Sequence, residues 1–308
     1  MTTGILPSTG AAQPSPVFDP ALPPESSRPP RWTAIIWSNS KARFGLLLLG
    51  FFVLVAVFAP ILAPYAPDRA DFGPLLPVSA EHLLGTTTQG NDIASQLIHG
   101  SRVSLLVGLF GGFFATMIAL VIGMISGYTE GTIVDDVLSF FTNVAIVVPV
   151  LPLMIVLVAY SEVRGIPLLV FVIAITSWAG HARAKRSQII TLRNRDFVTA
   201  AKFAGEGMVR IVFREIMPNM TSLVAAGFVG AATGAIGAES GLSFLGLGDP
   251  SAISWGTMLF QADQQGAVAQ GLWVWLLAPG LTLAALITSL TFINFGVDLL
   301  SNPHLRED

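Results

Sequence analysis

The residues able to do chemistry are few and scattered. The histidines, His82, His99, His181 and His304, never stand four apart, so no helix offers a metal a histidine pair. They read as loop or membrane-boundary residues. Cysteine is absent, which excludes disulfides, thiolate chemistry and cysteine-type zinc sites. Gly241-Leu242-Ser243 opens like a G-x-S nucleophile turn but lacks the following glycine. No histidine occurs in a later span to act as base, so Ser243 reads as a helix-end or loop serine. There is no HExxH pattern for a metalloprotease and no Gly-Lys pair for a phosphate-cradling loop. The sequence thus offers no catalytic residue and no metal site, and any work done with ATP must come from a partner.

What remains is charge gathered in one place. Residues 181–217 carry Arg183, Lys185, Arg186, Arg193, Arg195, Lys202, Arg210 and Arg214 against Asp196, Glu206 and Glu215. Within this loop, Asp196 to Pro218 reads as two short helices. Asp196 is placed to cap the first, its carboxylate accepting from free backbone amides. Phe197–Ala204 follows, and Gly205 or Gly207 can stop it. Val209, Val212, Phe213 and Ile216 then recur at i, i+3, i+4 and i+7, one face of a second helix turned toward a bundle. Pro218 marks the start of the next span. The result is a helix, a glycine turn and a helix, with the short leading helix free to dock on a soluble partner.

The elements that hold this loop are membrane spans. Only 11% of the residues are charged, against about 25% in soluble domains, and the mean hydropathy is +0.70. A bilayer core of about 30 Å takes about 20 apolar residues as helix. Six stretches fit or come close: 44–63, 103–127, 137–160, 166–180, 222–238 and 272–295. The expected fold is therefore an all-α membrane protein of about six transmembrane helices, with the basic loop between the fourth and fifth. With both termini cytoplasmic, 13 of the 16 Lys/Arg fall inside, and only Arg69, Arg102 and Arg164 fall outside. Residues 1–40, rich in Pro and Ser, read as a disordered cytoplasmic tail rather than a cleaved signal. Residues 41–303 form the membrane domain and 304–308 a short C-terminal tail. The outside connections Pro64–Arg102 and Gly241–Gly271 are long; they either bind something or simply cap the bundle.

Inside the spans, Gly227, Gly230, Gly234, Gly237 and Gly241 follow spacings of 3, 4, 3 and 4 and share one helical face. Such a face lets another helix backbone approach closely, in this chain or in a partner subunit. Gly108–Gly112 and Gly123–Gly127 repeat small-xxx-small spacing in the second span. Pro149 and Pro152 kink the third span, as a hinge, a path lining or ordinary irregularity. Ionisable residues are nearly absent from the spans; Glu239 and Asp298 stand at span ends. That scarcity argues against the rival reading, a stand-alone secondary transporter or channel, because coupled carriers place carboxylates near the midplane.

Thr199-Ala200-Ala201, with Gly205 and then Ile216-Met217-Pro218, resembles the EAA loop of ATP-binding-cassette importer permeases. More specifically the chain is similar to the second (C-type) permease subunit of dipeptide, oligopeptide and nickel importers. Leu84–Gly108, Ala238–Leu259 and Asn294–Leu300 with Asn302-Pro303 resemble three further segments of that group, so the likeness runs from Lys41 to Pro303. It departs at Thr199, where the family carries the glutamate that names the loop, at Asn91 for a common arginine and at Glu215 for a common histidine. The resemblance implies a non-catalytic subunit in the cell membrane that forms half of a path for a small solute, with di- or oligopeptides as the expected cargo. It implies four kinds of company besides the lipid bilayer: a second homologous permease, two ATPase subunits that bind the ATP and Mg, an extracytoplasmic binding protein and the solute. Nucleic acid has no place in it. Asp196, Thr199, Ala200, Ala201, Gly205 and Pro218 would form the ATPase-coupling loop.

Overall fold

The computed structural model describes residues 39–301. Most of the tail expected over 1–40, the C-terminal tail 304–308 and the Asn302-Pro303 pair lie outside them. The chain is helical. Four of its helices are long and apolar enough to cross a membrane, or up to six spans if each of two bent helix pairs counts as one.

Helix α1 (Ser40–Val57) begins where the tail was expected to end, because Asn39 caps it, its side chain accepting from the Ala42 amide at 2.9 Å. Pro60 enters the short α2 (Ala59–Leu62) near its first position, where a missing N–H costs nothing. The third helix, α3 (Ile93–Tyr128), starts ten residues before the expected span. Asp92 caps it, its carboxylate accepting from the Ser95 amide and hydroxyl at 2.8 and 2.7 Å. At 1.5 Å per residue, 36 residues reach about 54 Å, well beyond the apolar layer.

The third expected span is broken rather than kinked. Helices α4 (Ile133–Val147) and α5 (Val150–Ala159) meet at 86°. Pro149 causes the break: it has no N–H to continue α4, and it holds Val148 extended (φ −65°, ψ 127°). Pro152 does no damage, since it lies in the first turn of α5, where amides have no helical acceptor. The fourth span is α6 (Ile166–Thr176), followed at 44° by α7 (Ala179–Arg193). The stretch expected to open the loop at His181 is thus a fifteen-residue helix continuing the span.

After α8 (Asp196–Phe203) and α9 (Met208–Arg210), residues 211–216 form a π-helix and 217–220 a 3-10 turn leading into α10 (Thr221–Phe244). The whole stretch Met208–Phe244 is one helical rod. Pro218 therefore lies inside the rod instead of dividing loop from span. In α geometry its ring would strike the carbonyl four residues back; the wider π turn before it relieves that clash. Helix α11 (Trp255–Gln264), opened by a Ser254/Thr257 capping box, packs beneath α12 (Trp273–Ser301).

Helix α3 is the axis of the bundle, with α7 and α10 against it. The contacts are made by glycines of α3. A Cβ on Gly112 would fall 2.6 Å from the Ala232 backbone, and one on Gly123 2.8 Å from the Ala182 carbonyl. The small-xxx-small spacing of the second span is thus a real seam, worth its entropic cost because in lipid helix association depends on close backbone packing.

Candidate functional site

The candidate site is the end of the bundle where α7, α8 and the start of the long rod meet. Only Asn194 and Arg195 separate α7 from α8. Arg195 is extended (φ −82°, ψ 153°) and is the capping residue; Asp196 is the first helical residue and makes no capping bond. The expectation for Asp196 is corrected by one position. Its carboxylate acts as a charge at the positive helix end, not as a cap.

Val198, fully buried, and Ala201 turn inward onto an apolar cluster of Leu120, Met124, Ile189, Ile211, Val212, Ile216 and Met220. The opposite face is free: Thr199 and Ala200 are exposed, and Phe203 is 88% exposed. The Thr199 hydroxyl reaches only back to the Arg195 carbonyl, at 3.3 Å.

The helix closes with a Schellman turn. The Gly205 amide donates to the Lys202 carbonyl at 3.0 Å, and the Glu206 amide to the Ala201 carbonyl at 3.1 Å. Gly205 takes φ +78°, which glycine adopts without penalty. Nothing stands within 4 Å of a Cβ placed there, so the turn requires glycine for its conformation and not for space.

The second helix departs from the expected face. Val212 and Ile216 are buried with Ile211, but Val209 is 70% and Phe213 56% exposed. The π turn advances the chain by fewer degrees per residue than an α-helix, so a face counted at α spacing splits. Phe203, Val209 and Phe213 are left as apolar groups on the surface of this end.

Most of the basic residues do not offer free charge. Arg186 holds Asp135 through two bonds of 2.8 and 2.7 Å, and Ser126 and Ser139 also donate to that carboxylate. Arg193 donates to the Tyr128 carbonyl at 2.6 Å and lies 3.5 Å from Glu130. Lys202 sits over the Tyr128 ring, Arg210 pairs with Glu206, and Arg183 donates to Asn143. Lys185 is buried within the bundle. Among the described residues, Lys185, Arg195 and Arg214 of the eight have no hydrogen-bond, ion-pair or ring partner, and of these only Arg195 and Arg214 lie outside the buried interior. The basic loop is largely a clamp that fixes α7 and α8 to α3 and α4.

The glycine face of α10 behaves differently from the seam on α3. Cβ atoms on Gly234, Gly237 and Gly241 would meet nothing within 4 Å, while Gly227 and Gly230 lie beside Lys185 and His181. Beyond these two side chains the face is uncovered. The opposite face, with Ala231, Ala232, Ala235 and Ile236, is the one α3 covers.

Glu239, expected at the end of the fifth span, does lie near the end of α10, and the buried cation in the stretch expected as loop is Lys185. Glu239 is fully buried and accepts from Ser243 at 2.8 Å, Ser240 at 3.3 Å and Ser104 at 3.4 Å. Lys185 is only 1% exposed. Its burial was visible in the spacing of Ala179, Ala182, Lys185 and Ile189, which line one face of α7.

At the other end, the two long connections enclose a cavity of about 650 Å³, bordered by Asp68, Asn91, Gln96, Asp249 and Gln261. Asn91 is structural there: it donates to the Arg69 carbonyl and meets the Thr87 hydroxyl. Asp249 ties the connection to α6 by accepting from the Ile166 amide at 3.2 Å. Burial opposes its ionisation, but the Ser251 hydroxyl and amide and the Ile166 amide outweigh this and hold its carboxyl below the usual range.

A bundle of broken and continuous spans, carrying a clamped helix–glycine turn–helix at one end and built-up connections at the other, defines a multi-pass membrane transport component. Residues 119–307 match the family described as binding-protein-dependent transport system inner membrane component, and residues 36–77 match the N-terminal transmembrane domain of oligopeptide transport permease C. The chain is 32% identical over 302 residues to the di/tripeptide transport system permease protein DppC of Pseudomonas aeruginosa, covering 95% of this chain and 97% of that one. The dipeptide transport system permease protein DppC of Bacillus subtilis is 30% identical, over 87% of this chain and 83% of its own. That of Alkalihalophilus pseudofirmus is 31% identical, over 93% and 97%. The chain belongs to the family of binding-protein-dependent transport system inner membrane components.

Proposed function

We propose that this chain is one of two permease subunits of an ATP-driven importer of di- and oligopeptides. The observation that carries the coupling half of this reading is α8: an eight-residue helix pinned by Val198 on its inner face, closed by Gly205 and free on its outer face. So short a helix has little stability of its own. It is held as a rigid projection by the bundle, as a lever must be. Thr199, Ala200 and the exposed Phe203 are the surface a cytoplasmic ATPase would grip, with Arg195 and Asp196 at its leading edge. Ala201 faces the cluster, and Pro218 lies inside the rod, just past the π turn that accommodates its ring. ATP and Mg are bound by the partner ATPases. Movement imposed on α8 reaches α10 through the turn at Gly205 and through the cluster that Val198 shares with Ile211, Val212 and Ile216, since these begin the rod Met208–Phe244.

The charge distribution supports placing both termini and the α8 end in the cytoplasm. The cavity between the long connections then faces outward, where a binding protein delivers its cargo. Peptides are the cargo named for the relatives with which this chain aligns along most of its length. The test is affinity purification of the tagged chain in mild detergent with mass spectrometry. One homologous permease and two kinds or copies of ATPase should co-purify, and the reconstituted complex should take up dipeptides when ATP and the binding protein are supplied. Recovery of a stable chain alone, transporting without ATP, would overturn the reading in favour of a stand-alone carrier.

A further inference from the structure

Lys185 is the least explained residue in the bundle. It lies on α7 between Ala182 and Ile189, is 1% exposed, and has no hydrogen-bond or ion-pair partner among the described residues. Its Nζ points at α10: a Cβ on Gly227 would stand 3.0 Å from it. The His181 ring, one turn earlier, lies beside Gly227 and Gly230. Both groups therefore sit over the first two positions of the glycine face, which continues uncovered through Gly234, Gly237 and Gly241.

An ammonium removed from water without a counter-charge is strongly disfavoured. Within membrane proteins such groups face the bundle interior or a water-filled path and mark where charged solutes pass. The acids nearest this region are paired elsewhere or face outward: Asp135 binds Arg186, Glu130 lies beside Arg193, Glu239 accepts from its serines, and Asp136 is exposed. None of the acids among the described residues is paired with Lys185. A fixed carboxylate from a partner subunit would seal the end of the glycine trough, whereas the uncovered face that runs on from Nζ through Gly234, Gly237 and Gly241 leaves a route by which an anion arrives and leaves.

We propose that Lys185, with His181 beside it, receives the C-terminal carboxylate of the peptide as it passes along the glycine face of α10. This rests on the peptide reading above, and it makes Lys185 a specificity-determining residue. The test uses the complete transporter in proteoliposomes, with uptake compared for a dipeptide and its C-terminal amide at equal occupancy of the binding protein. Wild type should favour the free carboxylate. Lys185→Met should reduce that preference about tenfold, the equivalent of ~1.4 kcal/mol, while Lys185→Arg retains most of it. Gly227→Ala, whose methyl would press on Nζ, should act like Lys185→Met and decides the matter if that variant fails to assemble. An unchanged preference in both variants, or equal losses for dipeptide and amide, overturns the assignment and leaves a structural or subunit-contact role. A wild-type complex that takes up no peptide refutes the peptide reading itself, and the carboxylate assignment with it.

Discussion

Replacing Gly205 should uncouple ATP hydrolysis from uptake, and the pattern among substituents identifies the cause. Gly205 sits at φ +78° in the turn that closes α8, where an L-residue costs about 1–2 kcal/mol. No atom lies within 4 Å of its would-be Cβ, so size should not matter. Gly205→Ala and Gly205→Leu should therefore do equal harm, and Gly205→Asn, which tolerates left-handed backbone, should do less. A loss of this size shifts the ratio of closed to frayed turn roughly 5- to 30-fold. Helix α8 is held mainly by Val198 and by the two turn bonds at 3.0 and 3.1 Å, so fraying there frees its docking face. The assay is uptake per ATP hydrolysed in proteoliposomes containing all subunits, with basal hydrolysis as control. The alanine and leucine variants should insert and assemble normally and hydrolyse ATP with poor uptake. Full coupling in Gly205→Ala would refute the conformational argument. A leucine variant far worse than the alanine variant would show that something packs against this turn in the assembled complex.

Asp135→Asn should lower the thermal midpoint of the detergent-solubilised chain. Losing one partner of a buried pair costs about 3–5 kcal/mol, and the 32% exposure of the Arg186 side chain puts the effect at the low end. Glu239→Gln keeps an acceptor for Ser104, Ser240 and Ser243 and should melt near wild type, whereas Glu239→Ala strands those hydroxyls at about 1–3 kcal/mol; the same melting assay compares them. Gly112→Ala should destabilise by about 1–3 kcal/mol because its methyl meets backbone of Ala232 at 2.6 Å, while Gly234→Ala, with open space, should leave melting unchanged. The Asp249 carboxyl is depressed in the folded chain, so its contribution is present above the unfolded value near 3.8 and lost as pH falls through the lower folded value. Protection of the Ile166 amide, corrected for intrinsic exchange, should fall with acid in that range and be insensitive to it in Asp249→Asn.

The spans were legible because lipid imposes one rule on every residue in them. Uncharged runs located α1, α3, α10 and α12, and the periodic glycines of α3 marked a seam. Breaks and continuations were less legible. Pro149 announces a discontinuity, but whether the chain bends by a few degrees or by 86° depends on what packs beyond Val148. Pro218 carries the same signal, yet the rod runs through it, because a π turn absorbs the misfit. Counting at α spacing then misassigned Val209 and Phe213, whose angular positions depend on that turn.

The charged loop shows the deeper reason. Eight basic residues in one connection suggest a positive surface, and a hydropathy count ends the fourth span before the first of them. The chain instead carries the helix on to Arg193 and uses the charges inwardly, against Asp135, Glu130 and the Tyr128 ring. Charge content alone cannot separate these outcomes, because an arginine paired across two helices and one facing water count the same. Periodicity can. Ala179, Ala182 and Ile189 place Lys185 on the buried side of α7, and that placement turns an ordinary basic residue into an unpaired cation at the edge of the glycine face. The coupling clamp and the candidate carboxylate station are therefore two consequences of one continuation. By extending the fourth span as helix, the chain holds α8 firmly against α3 while carrying a positive charge into the bundle, so the helix that would receive the ATPase stroke follows directly on the one that carries the group that would meet the cargo.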